Sequence, residues 1–127
     1  MTKETRNTQA VLEFYRLFYN AKRFDEGARL LAESFVNHHP GANGSGRQGM
    51  IDDFRRLARS NLSAFHIEAK RMIGADDFVW THNLITGLPE GGRAVSVEIW
   101  RLEDGAIAEH WDVVQRLKPD QDPASML

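Results

Sequence analysis

The chain has 127 residues, enough for one hydrophobic core and too few for two, so we predict a single domain over residues 1–127 with a frayed tail at 118–127. Sixteen basic and eighteen acidic side chains give a formal net charge of −2 without a long block of either sign, which disfavours nucleic acid or an anionic membrane as partner. The absence of cysteine excludes disulfides, thiolate nucleophiles and cysteine metal sites.

Helical spacing of apolar residues predicts three helices in the first half of the chain. The first carries an apolar stripe from Asn7 onward, and Thr5, Asn7 or Thr8 is its candidate cap. A second, shorter helix is predicted over "RFDEGARLLAESF", where Asp25 can cap the start. After the loop "HHPGANGSG", whose glycines Gly41, Gly44 and Gly46 permit a sharp turn, helical spacing resumes in "GMIDDFRRLARSNL".

The second half of the chain changes to the alternating pattern of strands. Four segments show it, "FHIEAKRMIG", "DDFVWTHNLITG", "RAVSVEIWRLEDG" and "AIAEHWDVVQRL", and turn signals separate them. The Asp104-Gly105 pair is typical of a type I′ hairpin turn. Helices followed by strands predict an α+β domain, with three N-terminal helices packed on one face of an antiparallel sheet of four or more strands.

Period-two alternation sorts the strand residues into two faces. One face mixes aromatic and ionisable residues: Trp80, His82, Leu84, Glu98, Trp100, His110, Asp112 and Val114. The other is mostly aliphatic: Val79, Thr81, Ile85, Val95, Val97, Ile99, Trp111 and Val113. Apolar walls with a few convergent polar groups are typical of a small-molecule cavity, so we place the cavity on the first face. The aliphatic face then needs a cover, and we predict a homodimer packed through this convex face.

Three segments carry a resemblance to a known family: "FVNHHP", "GRQGMIDDF" and the terminal hairpin "VEIWRLEDGAIAEHWDVVQ". With them the chain resembles the SnoaL-like polyketide cyclases, within the nuclear-transport-factor-two-like superfamily of cone-shaped α+β domains. The resemblance implies a curved sheet wrapped around helices, a deep pocket, dimerisation, and an intramolecular aldol condensation that needs no metal or cofactor. It also implies that an acidic residue of the last strands is the acid/base, and the matching residue here is Asp112.

Proton abstraction from carbon next to a carbonyl requires a base and hydrogen-bond donors for the enolate oxygen. We predict Asp112 as the base and His110, two residues before it on the same face, as donor or proton shuttle. Glu98 on the neighbouring strand is a second acid/base candidate. The alternatives are that Asp112 is satisfied by a backbone amide or an Arg, and that Glu98 and His110 form a plain cross-strand ion pair.

Further histidines and aromatic residues extend the predicted site. His82 is a candidate on the same wall, although a core histidine is the plainer interpretation. His38 stands where the family motif has its histidine and is predicted to point inward, whereas His39 is predicted to face water. Trp80 and Trp100 are candidate pocket walls, with ordinary core packing as the alternative.

Several other activities are disfavoured by the motifs. The loop "GANGSG" lacks the Lys-Ser/Thr ending of a phosphate loop, and no serine lies in a nucleophile elbow. The histidines and carboxylates match no standard metal spacing, so we predict no metal and no cofactor, with a divalent metal as the alternative. No segment resembles a signal peptide or a membrane span, and we expect a soluble, cytoplasmic protein.

The sequence therefore predicts a cofactor-free lyase or isomerase for a carbonyl-bearing apolar or aromatic small molecule. The alternatives are a non-catalytic module that binds a small ligand in the same cavity, and a structural dimer with a vestigial pocket.

Overall fold

The protein is represented by a computed structural model that describes residues 1–42 and 46–127. In chain order the elements are α1 (Lys3–Phe14), a π-helical segment (Tyr15–Asn20), α2 (Phe24–Gly27), a 3-10 turn (Ala28–Leu30), β1 (Leu31–Asn37), α3 (Gly46–Ala58), β2 (His66–Ala75), β3 (Phe78–Leu88), β4 (Gly92–Glu103) and β5 (Ala106–Arg116). The helices pack on one face of the sheet, and the predicted α+β class is confirmed. Gly44, in the predicted glycine turn, lies outside the described residues.

The sheet has five strands in the order β1-β5-β4-β3-β2. Strands β2 to β5 form the predicted antiparallel sheet, each pairing with the next along the chain, while β1 pairs in parallel with β5, which the sequence did not predict. The predicted second helix is wrong beyond its first turns, because residues 31–37 are extended. Leu31 and Phe35 are both buried, and a spacing of four residues fits one face of a strand as well as one face of a helix.

The first helix begins earlier than predicted. The Thr2 hydroxyl accepts a hydrogen bond from the backbone N–H of Thr5 at 3.1 Å and caps α1, so none of the three predicted caps is correct. Asn7 instead lies inside the helix and is buried.

The two long hairpins differ in how they connect their strands. Between β4 and β5, Asp104 and Gly105 have φ angles of 49° and 84°, as the predicted type I′ turn requires. Between β3 and β4 the pairing shifts by one residue, from Leu88 opposite Gly92 to Ile85 opposite Ala94. A shift of one residue exchanges the two faces of a strand, which decides where the side chains of β3 lie.

The bulge in this hairpin requires a glycine. Gly87 has a φ of 72°, in the left-handed region, and a Cβ atom there would lie 1.8 Å from the carbonyl oxygen of Ala64. The backbone at Ala64 therefore leaves no space for a side chain at this position.

Aromatic rings form the centre of the core between the helices and the sheet. Phe14 stacks on Phe18, and Trp100 of β4 meets Phe14 edge-on with ring centroids 5.5 Å apart. Beyond β5, Arg93 donates hydrogen bonds to the backbone oxygens of Pro119 and Gln121, which holds the tail at the end of the sheet. Among the described helices, none has the length and apolar character needed to cross a membrane.

Candidate active site

A cavity of about 380 Å³ opens between the inner face of the sheet, helix α3 and the loop that follows β1. Its apolar wall comes from Phe54 and Leu57 of α3, and from Phe65, Ile67 and Ile85. Its polar groups include Tyr19, Asn37, His39, Asp53, Arg56, Glu98, His110 and Asp112. A cavity of this volume that combines an apolar wall with convergent polar groups is typical of a small-molecule site.

Glu98 and His110 form a buried pair on the sheet side of the cavity. The Nε2 atom of His110 lies 2.7 Å from Oε1 of Glu98, and the two side chains are only 3% and 5% exposed. On its other side, the Nδ1 atom of His110 lies 2.8 Å from Oδ1 of Asn37. The predicted proximity of Glu98 and His110 is confirmed, and Asn37 extends the pair into a chain of three side chains.

The hydrogen bonds of Asn37 place a proton on Nδ1 of the His110 ring. The backbone N–H of His39 donates to Oδ1 of Asn37 at 3.0 Å, which identifies that atom as the oxygen. His110 must therefore donate from Nδ1, and its Nε2 faces a carboxyl oxygen. A 2.7 Å contact there needs one proton, held either by His110 as imidazolium or by Glu98 as carboxylic acid. The pair thus shares one proton beside the cavity.

Asp112 lies two residues beyond His110 on the same strand and pairs across the sheet with Glu98. Its side chain is 8% exposed, and both carboxylate oxygens lie within 2.8 Å of Nδ1 of His39. The hydrogen bond to Asp112 raises the pKa of His39, although partial burial opposes this. Asp112 is therefore a cavity carboxylate whose hydrogen-bond partner is His39.

Tyr19 also lines the cavity, although the sequence predicts it only as part of the apolar stripe of the first helix. It lies in the π-helical segment and is 6% exposed. Burial raises the pKa of Tyr19 well above its ordinary value, and the charges of Glu98 and Asp112 add to this. Its hydroxyl stays protonated and can donate a hydrogen bond to a ligand. A π-helical turn often marks a functional site, but the wider turn cannot be read from helical spacing.

The predicted roles of the two loop histidines are reversed. His39 lines the cavity, whereas His38 lies on the outer face, where its Nε2 is 2.7 Å from Oε2 of Glu109 and its ring stacks on Trp111. The reason is the strand β1: Asn37 points inward to His110, so the next residue points outward. Glu109, the carboxylate on the outer face, has two hydrogen-bond partners. The hydrogen bond from Arg101 lowers the pKa of Glu109 most, and the hydrogen bond from His38 lowers it further.

Three predicted residues of β3 do not lie at the cavity. The bulge beside Gly87 places Thr81, not His82, opposite Glu98. His82 instead contacts Arg71, with its Nδ1 atom 3.2 Å from an Arg71 guanidinium nitrogen, and Trp80 is 48% exposed on the outer face. Leu84 lies on the same outer side of β3. Their placement on the cavity face is wrong, and Val79, Thr81 and Ile85, predicted on the other face, are buried inside.

Trp100 and Val114, the other two predicted pocket residues, have different positions. Val114 lines the cavity as predicted. Trp100 is fully buried in the core and lies behind the site, with its ring centroid 4.1 Å from that of His110. Its indole N–H donates to the hydroxyl of Tyr15, which in turn lies 2.6 Å from Oγ1 of Thr81. Trp100 therefore supports His110 from the core and is not a pocket wall.

Glu98, His110 and Asp112 are also close enough to be considered as metal ligands. Their candidate ligand atoms lie within 4.8 Å of one another. However, both ring nitrogens of His110 are already in hydrogen bonds, to Asn37 and Glu98. A metal would have to displace the bond to Glu98, so the arrangement fits proton transfer better than metal binding.

Helices packed on one face of a five-stranded sheet, with a cavity between them, define a protein of the nuclear-transport-factor-two-like fold. The SnoaL-like domain family matches residues 11–110, and the chain belongs to this family. No curated protein sequence matches it at a significant level.

Solved structures of similar fold have diverse descriptions. IdmH from Streptomyces antibioticus, a proposed polyketide cyclase, is 21% identical with a TM-score of 0.72, over 85% of this chain and 91% of that one. An LEH-like epoxide hydrolase from M. tuberculosis is 20% identical with a TM-score of 0.74, over 90% of this chain and 86% of that one. A proposed ketosteroid isomerase from Kribbella flavida is 18% identical with a TM-score of 0.72, over 100% and 91%. At these identities the comparison establishes the fold.

Proposed function

We propose that the protein is a cofactor-free acid/base enzyme, a lyase or isomerase, acting on a carbonyl-bearing apolar or aromatic small molecule in the cavity. The observation that carries this proposal is the group of three ionisable residues, Glu98, His110 and Asp112, that lie close together in a cavity with an apolar wall. A site that only bound an apolar ligand would gain nothing from burying them, because burial of polar groups is unfavourable without compensation.

In the proposed reaction Asp112 takes a proton from the carbon next to the carbonyl, and the electron pair of the broken C–H bond moves to the carbonyl oxygen. The hydroxyl of Tyr19 donates a hydrogen bond to this enolate oxygen. Asp112 then returns the proton that it removed, to the alkoxide formed in a condensation or to another carbon in an isomerisation, and so regains its carboxylate form. The Glu98–His110 pair keeps its shared proton throughout. Condensation follows when the enolate carbon attacks a second carbonyl, and isomerisation when it is protonated at another position.

The outer face of the sheet supports the further proposal that the enzyme works as a homodimer. Ile73, Trp80, Ile99 and Trp111 lie opposite one another across four neighbouring strands. Ile73 is 65% exposed and Trp80 48%. A continuous apolar row of this kind on a sheet is typical of an interface, and a second copy of the same row is its natural partner. A cytoplasmic dimer without nucleic-acid or membrane partners is the assembly we propose.

The test of the proposed chemistry is proton exchange next to a ketone. With 1-tetralone in D2O, NMR should show faster loss of the protons next to the carbonyl with the wild-type protein than in buffer. The Asp112→Asn variant should lose about 100-fold or more of this acceleration while still binding 1-tetralone by calorimetry. Binding without any acceleration in the wild type would instead support the non-catalytic ligand-binding module.

A further inference from the structure

One buried atom at the site has no partner in the part of the chain that the structure describes. It is Oε2 of Glu98, the carboxyl oxygen that does not contact His110. Glu98 is 4% exposed and lines the cavity. A buried carboxyl oxygen without a hydrogen bond is costly, so a bound molecule that supplies one gains affinity.

The hydrogen-bond chain determines what this oxygen requires. Oδ1 of Asn37 accepts a hydrogen bond from Nδ1–H of His110, and the single proton of the Glu98–His110 pair lies between Nε2 and Oε1. In both protonation states of the pair, Oε2 carries no proton and can only accept. The cavity therefore contains an acceptor at Glu98 and a donor at Tyr19.

We propose that the ligand of this cavity is a hydroxy-carbonyl compound, whose hydroxyl group donates a hydrogen bond to Oε2 of Glu98. The carbonyl half of this assignment rests on the proposed function, whereas the hydroxyl half rests on the unpartnered oxygen. An apolar or aromatic framework fills the space beside Phe54 and Leu57. Selection for the hydroxyl is strong because a ligand without it leaves Oε2 unpaired in the complex.

Pairs of ketones that differ only in a hydroxyl or a methoxy group distinguish the effect of a hydrogen-bond donor from the effect of ligand size. Calorimetric titrations would compare 1-tetralone with its 5-, 6- and 7-hydroxy derivatives and with the corresponding methoxy derivatives. A methoxy group adds an oxygen but cannot donate. We expect the best hydroxy derivative to bind roughly 10- to 100-fold more tightly than its methoxy partner.

Two substitutions of Glu98 test whether the preference for a hydroxyl group depends on the acceptor oxygen of this residue. In Glu98→Gln the amide NH2 can donate to Nε2 of His110, which leaves a carbonyl oxygen as acceptor in place of Oε2, so the preference should persist. In Glu98→Met there is no acceptor, and the hydroxy and methoxy derivatives should bind within about twofold. Circular dichroism would confirm that both variants are folded.

The outcomes separate this inference from the proposed reaction. Equal binding of hydroxy and methoxy ketones to the wild type, no binding of either, or a preference that survives in Glu98→Met would overturn the hydroxyl assignment. Accelerated proton exchange of 1-tetralone together with equal binding would leave the proposed function standing and this inference wrong. A hydroxyl preference without any proton exchange would do the reverse.

Discussion

The two faces of strand β5 carry the same kind of pair in different surroundings. On the inner face, His39 contacts Asp112 at 2.7 Å, and on the outer face His38 contacts Glu109 at the same distance. The inner carboxylate is 8% exposed and shares a cavity with Glu98 and His110, while the outer one is 24% exposed and also binds Arg101. The contact distance is the same, so the surroundings decide which pair can do chemistry.

The largest effect is expected for the buried pair behind the cavity. His110→Leu leaves Glu98 buried without its partner and should lower the free energy of unfolding by about 3 kcal/mol. Replacing both residues, in Glu98→Met/His110→Leu, should restore much of this loss. Urea denaturation measures both variants. If the double variant is no more stable than the single one, the unpaired Glu98 is not the cause.

The second largest effect is expected for dimerisation through the outer face of the sheet. Trp80→Glu places a charge in the middle of the apolar row, and we expect the dissociation constant of the homodimer to rise by about 100-fold or more. Analytical ultracentrifugation of wild type and variant checks this. Leu12→Glu, which places the same charge at an exposed apolar residue of α1 on the helix side of the sheet, is the matched control and should leave the dissociation constant unchanged. A wild-type protein that is monomeric at all concentrations would contradict the dimer.

A smaller, pH-dependent effect is expected at the inner histidine. The pKa of His39 is raised in the folded protein, so its protonation favours folding. This stabilisation is complete below the ordinary histidine pKa of about 6.5 and disappears as the pH rises through the raised value. His39→Gln should therefore lose stability at pH 6 and very little at pH 9. Because His39 is half-exposed, the difference should stay below about 1 kcal/mol.

Urea denaturation at the two pH values measures this effect, with His38→Gln as the matched variant on the outer face. A stability difference between wild type and His39→Gln that grows from pH 6 to pH 9 would contradict the assigned ion pair with Asp112.

The smallest effect is expected for the outer pair itself. A double-mutant cycle of His38→Gln and Glu109→Gln should give a coupling energy below about 1 kcal/mol, since both groups are reached by solvent. Thermal or urea unfolding of the four proteins provides the cycle. A coupling of several kcal/mol would mean that the outer pair is not the solvent-screened contact described above.

Much of the fold could be predicted from local pattern. Alternation within β4 and β5 placed Glu98, His110 and Asp112 on one face, and the structure brings these three together. The side chains of β3 could not be placed in the same way, because the bulge beside Gly87 shifts the register by one residue. The close approach of Ala64 to Gly87, which leaves no space for a side chain there, joins residues far apart in the sequence and has no local signal.

The positions of the loop histidines, His38 and His39, could not be predicted for a different reason. The alternation of β1 points Asn37 inward and His38 outward, but it becomes visible only when residues 31–37 are recognised as a strand. The pairing of residues 31–37 with β5 is parallel and joins segments more than 70 residues apart, so it cannot be predicted from local sequence pattern. Tyr19 was hidden because helical periodicity does not reveal a π-helical turn.

The most direct test exchanges the two carboxylates of β5 for amides, one at a time. Asp112→Asn and Glu109→Gln change the same chemical group on opposite faces of the same strand, and each leaves its histidine without a carboxylate. The rate of proton exchange of 1-tetralone should fall about 100-fold or more in Asp112→Asn and stay within about twofold of the wild type in Glu109→Gln. Equal rates in the two variants would contradict the assignment of the inner face as the active site.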